Sequence, residues 1–150
     1  MTVRLAEPSD AAAVRDLLGQ LGYPDDNDVD SVRQRLENWA AEPAATALVA
    51  ERDGQVVGVV AVAAMPCFER PGKTGRVVAI VTSDVVRGQG VGKELMAHAE
   101  RIAKEYGCSK MEVTSSNWRT DAHAFYRGLG YDNWSDRAGR FMKEFASTGS

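Results

Sequence analysis

Cysteine is scarce in this chain of 150 residues: only Cys67 and Cys108 are present, far apart. Neither forms a C-x-x-C pair or a metal-ligand spacing, so both read as reduced thiols of a cytoplasmic protein. Excess basic charge is missing as well. Net charge is −3, with no basic tail or face, which argues against nucleic acid as the main partner. Long apolar runs are absent too. The longest, Val56–Met65, is too short to cross a bilayer as a helix, and no membrane role is expected. The opening Met1-Thr-Val-Arg-Leu-Ala-Glu-Pro8 lacks the apolar stretch of a secretory signal. No internal repeat appears, and the only biased segment is a short polar tail, Ser147–Ser150.

What remains is ordinary for a globular protein: 44% hydrophobic and 26% charged residues, in a length that suits one domain, residues 1–146. A short strand is expected at Val3–Ala6, then an amphipathic helix opened by Ser9 and Asp10 and running through Leu18. The stretch Gly19 to Asp30 breaks that pattern and concentrates Asp25, Asp26, Asp28 and Asp30 beside Tyr23-Pro24. Val29, Val32, Leu36 and Trp39 then recur at helical spacing, ending near Pro43. Thr46–Arg52 and Val56–Met65 read as strands joined by Asp53-Gly54, a strong hairpin signal. A loop, Pro66–Gly75, leads to a strand at Arg76–Thr82. The next helix buries Val91, Leu95, Ala99, Ile102 and Tyr106, with Gly107 placed to cap it. A strand at Lys110–Ser115 and a helix from Thr120 carrying Ala122, Phe125, Tyr126 and Leu129 follow. Tyr131–Trp134 and Arg140–Phe145 are expected to close the sheet as an antiparallel pair. This order implies a mixed α/β sheet rather than a fully parallel one.

The informative stretch is Val81 to Leu95, where an apolar strand passes through Arg87, Gly88, Gly90 and Gly92 into a helix. Three glycines in five residues allow positive φ and close approach of a ligand to the backbone. The first amides of the helix lack intrahelical acceptors and stand at the positive end of its dipole, a setting suited to phosphate. Spacing separates the candidates. A P-loop, G-x-x-x-x-G-K-S/T, would put Arg87 at its first glycine and Glu94 at its Mg²⁺-binding hydroxyl. A dinucleotide G-x-G-x-x-G fails on Lys93 if begun at Gly88, and on Leu95 if begun at Gly90. Arg-x-x-Gly-x-Gly, read as Arg87-Gly88-Gln89-Gly90-Val91-Gly92, does fit.

That motif resembles the pyrophosphate loop of the GNAT superfamily of acyl-CoA-dependent N-acetyltransferases. A second run, Asn117 followed by Ala122-His-Ala-Phe-Tyr126-Arg-Gly-Leu-Gly-Tyr131, is similar to the family's Asn and its helix ending Phe-Tyr-x-x-x-Gly-Phe/Tyr. Arg119 to Tyr126 is also similar to aminoalkylphosphonate N-acetyltransferases and many other small-amine acetyltransferases. The resemblance implies a single-domain fold, with a mostly antiparallel mixed sheet splayed at the cofactor site and flanked by helices. It implies acetyl-CoA as acyl donor, a small-molecule or peptide amine as acceptor, and no metal. Family members often dimerise, so a homodimer is an open expectation without an identified interface.

By the same resemblance, the pyrophosphate takes amides from Arg87, Gly88, Gln89, Gly90, Val91, Gly92 and Lys93. Ile80, Val81 and Thr82 hold the pantetheine arm, Asn117 binds it or orders the strand end, and Tyr126 binds the cofactor and protonates the leaving thiolate. From the residues alone, Tyr126 also fits an apolar stripe with Ala122 and Leu129, and Asn117 also fits a helix cap. The family's usual strand carboxylate is missing, because Ala79 occupies its place. Glu69, Glu112, His123 or a water relay are the candidate bases. The aspartates between the first helices could orient a cationic amine, while Arg70, Lys73 and Arg76 could serve an anionic one. The alternative to an enzyme is a CoA-binding sensor or structural domain that has lost turnover.

Overall fold

The computed structural model describes residues 1–21, 28–114, 120–135 and 137–146. They fall into two compact units, Met1–Thr114 and Ser115–Ser150. Within the first, five strands form one sheet in sequential order: β1 (Thr2–Leu5), β2 (Ala45–Arg52), β3 (Gln55–Pro66), β4 (Lys73–Thr82) and β5 (Cys108–Val113). The first four pair antiparallel and β5 joins β4 in parallel, giving the mixed sheet expected. The β2–β3 hairpin turns at Asp53 and Gly54, whose φ values of 52° and 77° are those a two-residue turn of this hand requires.

Alternation of side chains across the strands divides the core in two. Helices α1 (Ala11–Gln20) and α2 (Val29–Ala41) cover one face, where Ala11, Val14, Leu17, Val32 and Leu36 pack on Val49, Val59 and Val81. Helix α3 (Val91–Glu105) covers the other, burying Val91, Leu95, Met96, Ala99 and Ala103. Its close seating depends on two strand glycines. A Cβ on Gly58 would stand 2.9 Å from Leu95 Cδ1 and 3.3 Å from the Val81 carbonyl oxygen. One on Gly75 would stand 2.7 Å from Met111 Sδ and 2.9 Å from Ala103 Cβ. Gly107, with φ of 90°, follows the helix end and donates to the Lys104 carbonyl at 3.0 Å, as its capping position predicts.

The first helix begins differently from expectation. Pro8–Asp10 forms a 3-10 turn, and the buried Asp10 carboxylate accepts from the Glu7 amide and from both terminal nitrogens of Arg4 at 2.9 Å. Arg4 also donates to Glu51 at 2.8 Å, tying β1 to β2 and to the helix start.

The second unit holds α4 (Thr120–Gly128). The expected antiparallel pair at Tyr131–Trp134 and Arg140–Phe145 is not formed. Among the described residues that stretch contains no strand. A strand gains its hydrogen bonds from a neighbour, and here Trp134 instead closes a local turn, accepting from Arg137 and Ala138 at 2.8 and 3.0 Å. Phe141, Met142 and Phe145 are exposed. Tyr23-Pro24, Asp25, Asp26 and the Ser147–Ser150 tail lie outside the described residues.

Candidate active site

Among the described residues, strand β4 is paired on both sides only over its first half. Its ladder to β5 runs from Lys73 opposite Cys108 to Val77 opposite Val113 and then ends, while β3 accompanies it to Thr82. A bulge sits at that fork: Val62 opposes Val77, but Ala61 opposes Ala79, leaving Val78 as the extra residue. From Val78 to Thr82, β4 therefore presents an edge of backbone donors and acceptors without a β5 partner. This is the splay expected of the sheet, and an extended amide-bearing chain can add along such an edge as a strand would. Ile80, Val81 and Thr82 all lie on it, with the Val81 side chain buried under α1 and α2.

The edge feeds directly into the glycine turn. The Ser83 amide donates to the Val57 carbonyl at 2.8 Å, fixing the strand end, and the Asp84 amide donates to Gln20 Oε1 at 3.1 Å. A 3-10 turn, Asp84–Val86, drops Val86 into the core. Gly88 and Gly90 follow with φ of 76° and 84°, a left-handed conformation that L side chains rarely adopt. Beyond each of them, the space a Cβ would occupy holds no other atom within 4 Å. Glycine here serves the backbone path and an open approach, not packing.

Helix α3 begins at once. Its first intrahelical bond is Glu94 to the Gly90 carbonyl, so the amides of Val91, Gly92 and Lys93 precede any intrahelical acceptor. They converge at the positive end of a 15-residue helix, with the Arg87 and Lys93 side chains exposed beside them. Arg87 meets Asp84 at 2.8 Å, and Gln89 accepts from Arg52 while donating to the Val85 carbonyl. An open strand edge running into a cradle of amides and cations fits a ligand with a polyphosphate and an amide-bearing arm.

Tyr126 is half-buried on α4, edge-to-face with Phe125 at 5.3 Å and with Tyr131 at 6.2 Å. It lies in the second unit, and Asn117 lies outside the described residues. Ala79 is half-buried on β4. Of the candidate bases, Glu69 is exposed beside Arg70 at 3.5 Å. Hydrogen bonds from its own amide and that of Phe68 hold its carboxyl below the usual range, which weakens it as a base. Glu112 faces Arg76 at 3.7 Å, and His123 is half-buried on α4. Asp28 and Asp30 have local tasks: Asp28 caps α2 through the Ser31 amide at 2.7 Å, and Asp30 pairs with Arg33.

Two features of the site were not read from sequence. The bulge at Val78 lies within an apolar run and has no compositional mark. Gly58, which lets the start of α3 approach the sheet, did carry a signal: a single glycine inside a strand pattern marks close approach.

The sheet is thus mixed and forked at β4, and a glycine turn delivers the start of a helix to the fork. The family model for the acetyltransferase (GNAT) family matches residues 12–131, and the chain belongs to that family. It is 32% identical over 83 residues to an aminoalkylphosphonate N-acetyltransferase of Salmonella typhimurium, a match covering 55% of this chain and 54% of that enzyme. The chain thus spans about half the length of that relative. It is 29% identical over 135 residues to the aminoglycoside N(6')-acetyltransferase type 1 of Stenotrophomonas maltophilia, covering 87% and 86% of the two chains. The fold matches a crystal structure described as a transcriptional regulator from Bacillus halodurans with a TM-score of 0.84. That match has 23% identity and covers 95% of this chain and 99% of the other.

Proposed function

We propose that this chain transfers the acetyl group of acetyl-CoA to the primary amine of a small acceptor, by direct attack of the amine on the thioester. The observation that carries this reading is the β4 edge Val78–Thr82, beyond its pairing with β5 among the described residues, running into the Gly88–Gly90 turn and the first amides of α3. On this reading, amides from Arg87 to Lys93 hold the pyrophosphate and Ile80 to Thr82 hold the pantetheine arm. Asn117 supports the arm. Backbone donors along the edge would stabilise the oxyanion formed by attack on the carbonyl.

Two protons must move. An alkylammonium has a pKa near ~10 and must be deprotonated to attack, while a thiolate with a parent pKa near ~8.5 leaves more easily if protonated. The Tyr126 phenol is an O–H donor suited to the second task. For the first, the lowered Glu69 carboxyl is disfavoured, which leaves Glu112, His123 or a water relay along backbone carbonyls. The named relatives support an amine acceptor, one acting on aminoalkylphosphonates and one on aminoglycosides. Unbridged Cys67 and Cys108 are in keeping with a cytoplasmic setting, and no described helix is long and apolar enough to cross a membrane.

Ala79 favours a second reading, a CoA-binding domain without turnover, because no carboxylate stands at that strand position. Thiol release from acetyl-CoA across a panel of primary amines separates the two. Amine-dependent release is expected, and acetyl-CoA binding with no release from any amine would establish the second reading.

A further inference from the structure

Helix α3 occupies one face of the sheet, so an acceptor reaching the β4 edge approaches over the other. That face changes character beyond α1 and α2. The row Val49–Val59–Val81 is buried beneath the helices, and the next row across β2, β3 and β4 is Ala47–Ala61–Ala79, all half-buried. One row further on, Ala63 stands beside Arg76, and Arg76 beside Glu112 of β5. Small side chains leave a shallow floor, and the charged pair forms its far edge.

That pair is loosely made. Arg76 Nη1 and Glu112 Oε1 are 3.7 Å apart, with 43% and 56% of the two side chains exposed. A wet contact of this length holds a guanidinium weakly, and a guanidinium offers five N–H donors in a planar fork, more than one carboxylate can take. Further cations stand near it among the described residues. Lys110 lies on the same face two residues before Glu112, and Arg70 and Lys110 both act on Glu69. Within this described group, three cations, Arg70, Arg76 and Lys110, stand with two carboxylates, Glu69 and Glu112. Arg76 precedes Ala79 by three residues on the same strand and face, roughly 10 Å along the chain at ordinary strand rise. An extended arginine side chain and a short aminoalkyl chain together span that distance.

Building on the acetyl-transfer reading, we infer that the acceptor carries an acid group a few bonds from its amine, and that Arg76 binds that acid. The alanine floor accommodates the short alkyl link, and Glu112 keeps the guanidinium on this face until the acceptor's acid replaces or shares it. The same positive edge disfavours a polycationic acceptor, since like charges meet there.

The test measures thiol release from acetyl-CoA with aminoethylphosphonate, β-alanine, β-alaninamide and putrescine, using the wild type, Arg76→Gln and Arg76→Lys. The acid-bearing amines are expected to exceed the amide and the diamine by at least about tenfold in kcat/KM, the scale of one charge-assisted hydrogen bond. In Arg76→Gln the ratio of β-alanine to β-alaninamide should fall roughly ten- to hundredfold, through KM, and Arg76→Lys should restore part of it. Equal use of β-alanine and its amide, or an unchanged ratio in a folded Arg76→Gln protein, overturns this assignment and leaves acetyl transfer standing. Absence of release with all four probes and with a wider amine panel, despite acetyl-CoA binding, overturns both.

Discussion

Replacing Gly58 with alanine tests whether the seating of α3 on the sheet sets the position of the amides proposed to bind phosphate. The new Cβ would lie 2.9 Å from Leu95 Cδ1, 3.1 Å from Val91 Cγ1 and 3.3 Å from the Val81 carbonyl oxygen. Leu95 is fully buried and the carbonyl is backbone, so the strain is relieved chiefly by lifting the first turn of α3. Overpacking of this kind costs about 1–3 kcal/mol. At roughly 2–4 °C per kcal/mol, the melting temperature should fall by about 2–12 °C. The same lift displaces the amides of Val91, Gly92 and Lys93. Loss of one hydrogen bond to a charged phosphate is worth about 1.5–3 kcal/mol, so CoA affinity should fall roughly ten- to hundredfold.

Gly75→Ala supplies the control. Its Cβ would meet Met111 Sδ at 2.7 Å and Ala103 Cβ at 2.9 Å, near the opposite end of α3. It should lower the melting temperature by a similar amount with little effect on CoA binding. Melting curves and isothermal calorimetry with CoA read both quantities. If Gly58→Ala melts early but binds CoA as tightly as Gly75→Ala does, helix seating does not position the amides, and the reasoning fails.

Gly90→Val forces a β-branched residue into φ of 84°, which costs about 1–3 kcal/mol, and it crowds the open approach to the turn. CoA binding should disappear while the protein still melts cooperatively; unchanged calorimetric affinity would refute the role of close backbone approach. Tyr126→Phe keeps the ring contacts with Phe125 and Tyr131 but removes the proposed proton donor. Turnover should drop by roughly 10²-fold or more, with acetyl-CoA binding retained; full activity would return Tyr126 to a packing role. Asp10→Asn weakens the bonds from Arg4 and the Glu7 amide and should destabilise by about 2–3 kcal/mol.

That last site also has a pH signature. The Arg4 guanidinium, followed by the Glu7 amide, holds the Asp10 carboxyl below its usual value, against the opposing effect of burial. A depressed carboxylate contributes stability that is present above the unfolded value, near ~3.9, and is lost as pH falls through the folded value. Acid melting of the wild type should therefore steepen below about pH 4, and Asp10→Asn should flatten that slope. Identical slopes in the two proteins would remove Asp10 from the account.

Sequence reads this fold best where a residue's backbone demand is unusual. Asp53-Gly54 and Gly88 to Gly90 require positive φ, and both turns stand where glycine and aspartate announced them. The helical stripe Val29, Val32, Leu36, Trp39 and the capping role of Gly107 were legible for the same reason: the cause is local. The end of the sheet was not. Arg140 to Phe145 has apolar residues but no strict alternation, and pairing depends on a neighbour that local sequence does not specify. The bulge at Val78 is equally silent, because one extra residue in Val77-Val-Ala-Ile-Val81 leaves composition and periodicity nearly unchanged. The Arg76–Glu112 contact spans two strands in a parallel register, which helical or strand periodicity does not encode.

On the proposed reading, the forked strand and the glycine turn bind acetyl-CoA. Thermal stabilisation by acetyl-CoA, measured beside ATP with Mg²⁺ and NAD, decides this. A ligand at a hundredfold excess over its dissociation constant stabilises the native state by about 2.7 kcal/mol, or roughly 5–11 °C here. A shift of that order with acetyl-CoA alone is the predicted result. No shift with acetyl-CoA, or an equal shift with ATP–Mg²⁺ or NAD, would contradict it.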